Sequence, residues 1–78
     1  MKRLRLATRK HRVGLARIVV VIANAHTVTA MVTARGNDAI LYQGFDDRGR
    51  ELEIIVVEGA DFHLVIHAMP VDYRRSSR

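Results

Sequence analysis

Four histidines and eight carboxylates are the residues of this 78-residue sequence that can supply the base and the acid of a proton transfer near neutral pH, and there is no cysteine. The pairing best placed to move a proton is His67 with Glu53. "ELEIIVV" (Glu51–Val57) and "FHLVIHAM" (Phe62–Met69) read as adjacent antiparallel strands, and a three-residue loop between them sets Glu53 opposite His67. A carboxylate against an imidazole favours the protonated ring, which prepares it for acid or base work. A cross-strand pair of opposite charge is also an ordinary sheet stabiliser, so the pairing alone does not make a site.

The second constellation is basic. His11 lies between Lys10 and Arg12 and follows Arg9. Neighbouring residues on a helix do not share a face, so this cluster reads either as a solvated helix end or as a set of phosphate contacts. Arg50, in the turn before Glu51, and Arg74 and Arg75 in the tail complete the candidate RNA- or phosphate-binding set. His67, Glu53 and His11 form the candidate catalytic set.

Other polar residues have simpler readings. His26 and His63 read as bystanders. On a regular strand His63 and His67 point the same way but stand about 13 Å apart, too far to share one ion. No metal or cofactor site is expected, and no phosphate-binding glycine loop, Ser–His–Asp set or dinucleotide motif is present. Asp46 and Asp47 are turn formers. Tyr42 alternates with Ile40 and belongs to the core. Phe45 offers a surface on which a base could stack.

Charge is segregated along the chain. Residues Met1–Arg35 hold eight Lys/Arg and no acid, whereas the remainder holds five Lys/Arg and all eight acids. A basic segment of this kind is the footprint of a polyanion binder, with nucleic acid or an acidic protein as the partner. Apolar Ile18–Ile22 is far shorter than a membrane span, and no signal-peptide pattern is seen. Together with the lack of cysteine, this points to a cytoplasmic protein.

The elements that must position these groups follow from periodicity. The chain reads as one domain, 1–78, with a basic helical part (1–25), an antiparallel sheet (27–69) and a basic tail (70–78). Leu15, Ile18, Val19 and Ile22 recur at helical spacing, which predicts a helix from about Leu15 to Ala25, although three consecutive valines also suit a strand. Lys2–His11 reads as a shorter basic helix with Leu4 and Ala7 inward. From His26 onward the period is two. "DDRG" (Asp46–Gly49) reads as a hairpin loop with Gly49 left-handed, and Pro70 should end the last strand. The expected register pairs Asp46 with Arg50, Tyr42 with Ile54, Ile40 with Val56, Ile54 with Ile66 and Val56 with Leu64. It gathers Ile40, Tyr42, Leu52, Ile54, Val56, Leu64 and Ile66 on a core face. Gln43, Glu51, Glu53, His63 and His67 fall on the other. The fold class is α+β: two N-terminal helices packed on a three- to four-stranded antiparallel meander.

Several stretches carry a resemblance. "RKHRVGLARIVVVIANAH" (Arg9–His26) resembles the "KHGV" helix entry of BrnT-type toxins, although the acidic-aromatic strand and first helix segment expected at the family's N-terminus are absent or reduced. "GFDDRGRELEIIVV" (Gly44–Val57) resembles their strand–turn–strand, and "LVIHAMPVDYRR" (Leu64–Arg75) the last strand and basic tail of related small toxins. The resemblance covers most of the chain and implies a RelE/BrnT-like fold. It implies the toxin of a type II toxin–antitoxin pair, a metal-independent ribonuclease that inhibits translation. Its partners would be a cognate antitoxin and RNA, on or off the ribosome. Lys10 and His11 match the family's Lys–His pair; Arg12 replaces its glycine, and "IHAMP" replaces its usual last-strand ending. Two other classes remain open from the residues alone: a non-catalytic module binding RNA or an acidic protein, and a small oligomerising domain.

Overall fold

The computed structural model describes residues 3–6 and 14–71. They form β1 (Arg3–Leu6), α1 (Leu15–Ala23), β2 (Ala25–Val32), β3 (Asp38–Phe45), β4 (Glu51–Glu58) and β5 (Phe62–Pro70). The strands make one sheet in the order β1-β5-β4-β3-β2. β1 runs parallel to β5, and the other neighbours are antiparallel. α1 packs on β3, β4 and β1, covering one face of the sheet.

This corrects the expected architecture of two helices on three or four strands. Among the described residues there is one short helix and a five-stranded mixed sheet. The N-terminal segment Lys2–His11, read as a helix, contains strand β1 instead. Arg3-Leu4-Arg5-Leu6 alternates with period two, and pairing with β5 outweighs its helix propensity. Leu4 packs against the core cluster.

α1 forms despite its valine run because its apolar stripe has a surface to cover. Ile18 and Val21 are fully buried, and Ile22 packs beside them. Asn24 caps the C-terminus, its N–H donating to the Ile22 and Val20 carbonyls. Beneath lie Leu52 and Ile54, also fully buried, with Val56, Val65 and Ala68. Each fully buried Leu, Ile or Val contributes roughly 1.5–3 kcal/mol over leaving it exposed.

The β3–β4 hairpin has the expected register: Tyr42 opposite Ile54, Ile40 opposite Val56 and Gln43 opposite Glu53. Asp46 N–H donates to the Arg50 carbonyl, and Gly49 takes φ +79°, the left-handed position that closes a three-residue loop.

The β4–β5 hairpin differs. Near its loop, Val56 pairs with Val65 and Glu58 with His63, one residue off the expected register. A one-residue slip exchanges the faces, so Val65 and His63 turn toward α1 and Leu64 turns away. A β-bulge between Ile55 and Val56 then adds a second residue of offset, giving Ile55 opposite His67, Ile54 opposite Ala68 and Glu53 opposite Met69. The bulge returns His67 to the face away from α1. His63 and His67 therefore lie on opposite faces, not on one as expected.

Candidate functional site

The face of the sheet away from α1 carries the acid–base groups. Alternation along β4 sends Leu52, Ile54 and Val56 under the helix and Glu51 and Glu53 to the other side. His67 Nε2 donates to Glu53 Oε2 at 3.0 Å. The contact is made diagonally, because the direct partner of Glu53 is Met69. The expected pair thus meets, by a different register from the one expected.

Depth distinguishes the two partners. The His67 side chain is 27% exposed and can be reached from solvent, whereas Glu53 keeps only 8%. Glu53, expected to be catalytic along with His67, is the more deeply buried partner of the pair.

A second imidazole–carboxylate pair lies on the same face, and sequence reasoning missed it. His26 Nε2 donates to Glu51 Oε2 at 2.6 Å, and its Nδ1 lies 2.9 Å from the Thr27 hydroxyl oxygen. The His26 ring packs against Phe45, centroids 5.6 Å apart and tilted by 48°. His26 is the extra residue of a bulge between Ala25 and Thr27, which face Gly44 and Gln43. Gly44 permits this turn, since a Cβ there would stand 2.9 Å from both Ala25 Cα and the Val21 carbonyl oxygen. A usable signal was present: Phe45 pairs with Glu51 across the predicted hairpin, so anything capping Phe45 would meet Glu51. Glu51 and Glu53 stand two residues apart on one face, about 7 Å. Both histidines are therefore held along one stretch of β4.

The loop at that end is braced by Asp46. Its Oδ1 accepts the N–H groups of Arg48 and Arg50 at 2.8 and 2.9 Å, and its Oδ2 pairs with Arg17 of α1. The Arg17 hydrogen bond and the Arg50 backbone N–H, partly opposed by desolvation, hold the Asp46 carboxyl down at about 2. Its side chain has no solvent-exposed surface although the loop lies at the edge of the fold, so its immediate neighbours cover it. This agrees with the turn-forming role read from the sequence, and it places Arg48 and Arg50 beside Glu51.

The remaining candidates separate clearly. His11, Arg9, Lys10, Arg12, Arg74 and Arg75 lie outside the described residues. Arg50 lies in the exposed loop with its backbone N–H committed to Asp46. Tyr42 is half-buried against the core, as expected, and Phe45 is 48% exposed. His63 lines a cavity of about 170 Å³ on the α1 side with Leu4, Tyr42 and Glu58, and its buried Nδ1 has no hydrogen-bond partner among the described residues. That cavity is on the opposite face from His67. Among the described residues no group of three His, Asp or Glu is placed to share a metal ion. No described helix is long and apolar enough to cross a membrane.

No protein-family model, curated protein or solved structure matches the chain.

Proposed function

We propose that this chain is a metal-independent endoribonuclease acting on the sheet face away from α1, and the toxin of a toxin–antitoxin pair in the cytoplasm. The observation that carries the catalytic part is the His67–Glu53 pair: a reachable imidazole fixed at 3.0 Å by a buried carboxylate. The toxin part rests on the resemblance of Arg9–His26, Gly44–Val57 and Leu64–Arg75 to BrnT-type proteins. The five-stranded sheet is not part of that resemblance, so the reading rests on site chemistry and sequence and not on a shared fold.

RNA carries its own nucleophile, which is why imidazole chemistry suffices. A base removes the ribose 2′-hydroxyl proton as that oxygen attacks phosphorus. The bond to the 5′-oxygen breaks, and an acid supplies the proton that the leaving oxygen needs. The products are a 2′,3′-cyclic phosphate and a free 5′-hydroxyl, so protons balance without a metal or redox partner. A positioned acid–base group contributes about 10²–10⁴-fold to such a step. His67 is the transfer group and Glu53 its positioning residue. Arg48 and Arg50 supply positive charge beside the face, where guanidinium groups suit phosphate oxygens.

The test is inducible expression of the full chain, with and without the protein encoded beside it, scored by growth and by the ends of cellular RNA. The expected result is growth arrest with cyclic-phosphate RNA ends, relieved by His67→Ala and by the neighbouring protein. Normal growth with intact RNA would overturn the proposal. Salt-sensitive RNA retention without cleavage would turn it into a binding module, a reading that the exposed Phe45 ring favours.

A further inference from the structure

The two edges of the sheet are built differently. β1 is four residues long and contains Arg3 and Arg5. Short length and charge are common ways to keep an edge strand from pairing with another chain. β2 is eight residues long, and from Ala25 to Ala34 the sequence holds no Lys, Arg, Asp, Glu or Pro. Its bulge falls at its first residues, which leaves Thr27–Val32 in regular register with β3.

The phase of the ladder shows which backbone groups face outward. Thr33 N–H donates to the Asn37 carbonyl at 2.9 Å where β2 and β3 meet. Antiparallel pairs alternate between bonded and non-bonded, so Met31, Thr29 and Thr27 bond inward to Ala39, Leu41 and Gln43. Val28, Ala30 and Val32 direct their N–H and C=O groups to the open edge. Their side chains alternate onto the α1 side, but α1 packs on β3, β4 and β1. Val28 and Val32 are left 61% and 62% exposed.

We propose that β2 is a homodimerisation edge, with two copies pairing antiparallel about a two-fold axis at Ala30. "VTAMV" (Val28–Val32) has valine at both ends and alanine at its centre. In this register Val28 of one copy meets Val32 of the other, and Ala30 meets Ala30. The residues with outward backbone groups are the ones that exchange bonds, and the exposed valines cover each other. Thr29 meets Met31 on the opposite face. The axis stands normal to the sheet, so both helices share one side and both His–Glu faces share the other. Charge favours a second copy as occupant. Each chain carries +5, yet β2 has no formal charge, so the copies meet without like charges opposed. An acidic partner would find no Lys or Arg on this strand.

Sedimentation velocity of the full chain over a wide concentration range tests this, with Ala30→Pro and Val28→Lys alongside. Ala30 N–H serves no bond inside the sheet, so proline there removes only an outward donor. Val28→Lys places a charge at the contact without touching the backbone and covers the case in which the proline variant fails to fold. The expected result is a reversible monomer–dimer equilibrium, with dimer dissociation constants raised at least about tenfold by each variant and circular dichroism unchanged. A wild-type chain that stays monomeric at millimolar concentration, or a dimer that survives Val28→Lys, would overturn the proposal. So would hydrogen exchange showing that a different protein, and not a second copy, protects the β2 amides.

Discussion

Along β4, neighbouring residues work under different physics. Leu52 and Ile54 have no exposure and sit beneath α1, where their worth is packing. Glu51 and Glu53 point the other way, where their worth is the orientation they give to His26 and His67. Within the second face a further contrast appears. Glu53 is nearly buried and Glu51 keeps 29% of its side-chain exposure, so the same kind of pairing is largely shielded at one position and open to solvent at the other. A sheet covered on one side thus separates the packed core from the exposed imidazole–carboxylate pairs by the parity of a single strand.

The largest effect that could break this division is on the helix side. Ile54→Ala should lower unfolding free energy by about 2–5 kcal/mol, read by urea denaturation, because the site under α1 cannot collapse freely. For His67→Ala the complementary expectation is a drop of about 100-fold in the proposed single-turnover RNA cleavage, in a chain that still folds and loses less stability than Ile54→Ala even though the buried Glu53 loses a partner. If His67→Ala instead unfolds the chain while Ile54→Ala is tolerated, the two faces have been assigned the wrong way round.

Smaller effects sharpen the contrast inside the open face. Glu53→Ala removes the carboxylate that holds the His67 ring and should cost about 0.5–1.5 kcal/mol in thermal or urea unfolding. Glu51→Ala should cost less than about 1 kcal/mol, as exposed ion pairs do. A pH effect at the adjoining loop sharpens the contrast in another way. Asp46 titrates at about 2, below the ordinary 3.8 of an aspartate. A carboxyl held down in the folded state stabilises it above its unfolded pKa, and that contribution is lost as pH falls from about 4 toward 2. Asp46→Asn should flatten the acid limb of unfolding midpoint against pH in that window while keeping the turn, since its side-chain oxygen still accepts the Arg48 and Arg50 N–H groups.

How much was legible in the residues depends on how local each determinant is. The β3–β4 register could be read because Asp46 and Gly49 specify the loop and Ile40, Tyr42, Leu52 and Ile54 alternate cleanly with polar residues. α1 could be read from the spacing of Leu15, Ile18, Val19 and Ile22. The meeting of His67 with Glu53 was also anticipated, although through a register two residues away from the real one. A two-residue shift preserves the face, which is why the pairing survived the error. His26–Glu51 was missed because a bulge carries His26 out of the strand's ordinary alternation.

Composition, turn chemistry and period-two alternation were enough to determine this protein's basic N-terminal segment, its central hairpin and the side of β4 that bears the carboxylates. Leu64, Val65 and Ile66 are all apolar, so either parity of β5 buries a hydrophobic residue and local pattern has no preference. Only the fit of Val65 under α1, with the bulge that follows, decided which histidine reaches the open face. The same holds for β1: Arg-Leu-Arg-Leu can coil or extend, and the unpaired edge of β5 settles it by offering hydrogen bonds that a helix there would leave unused.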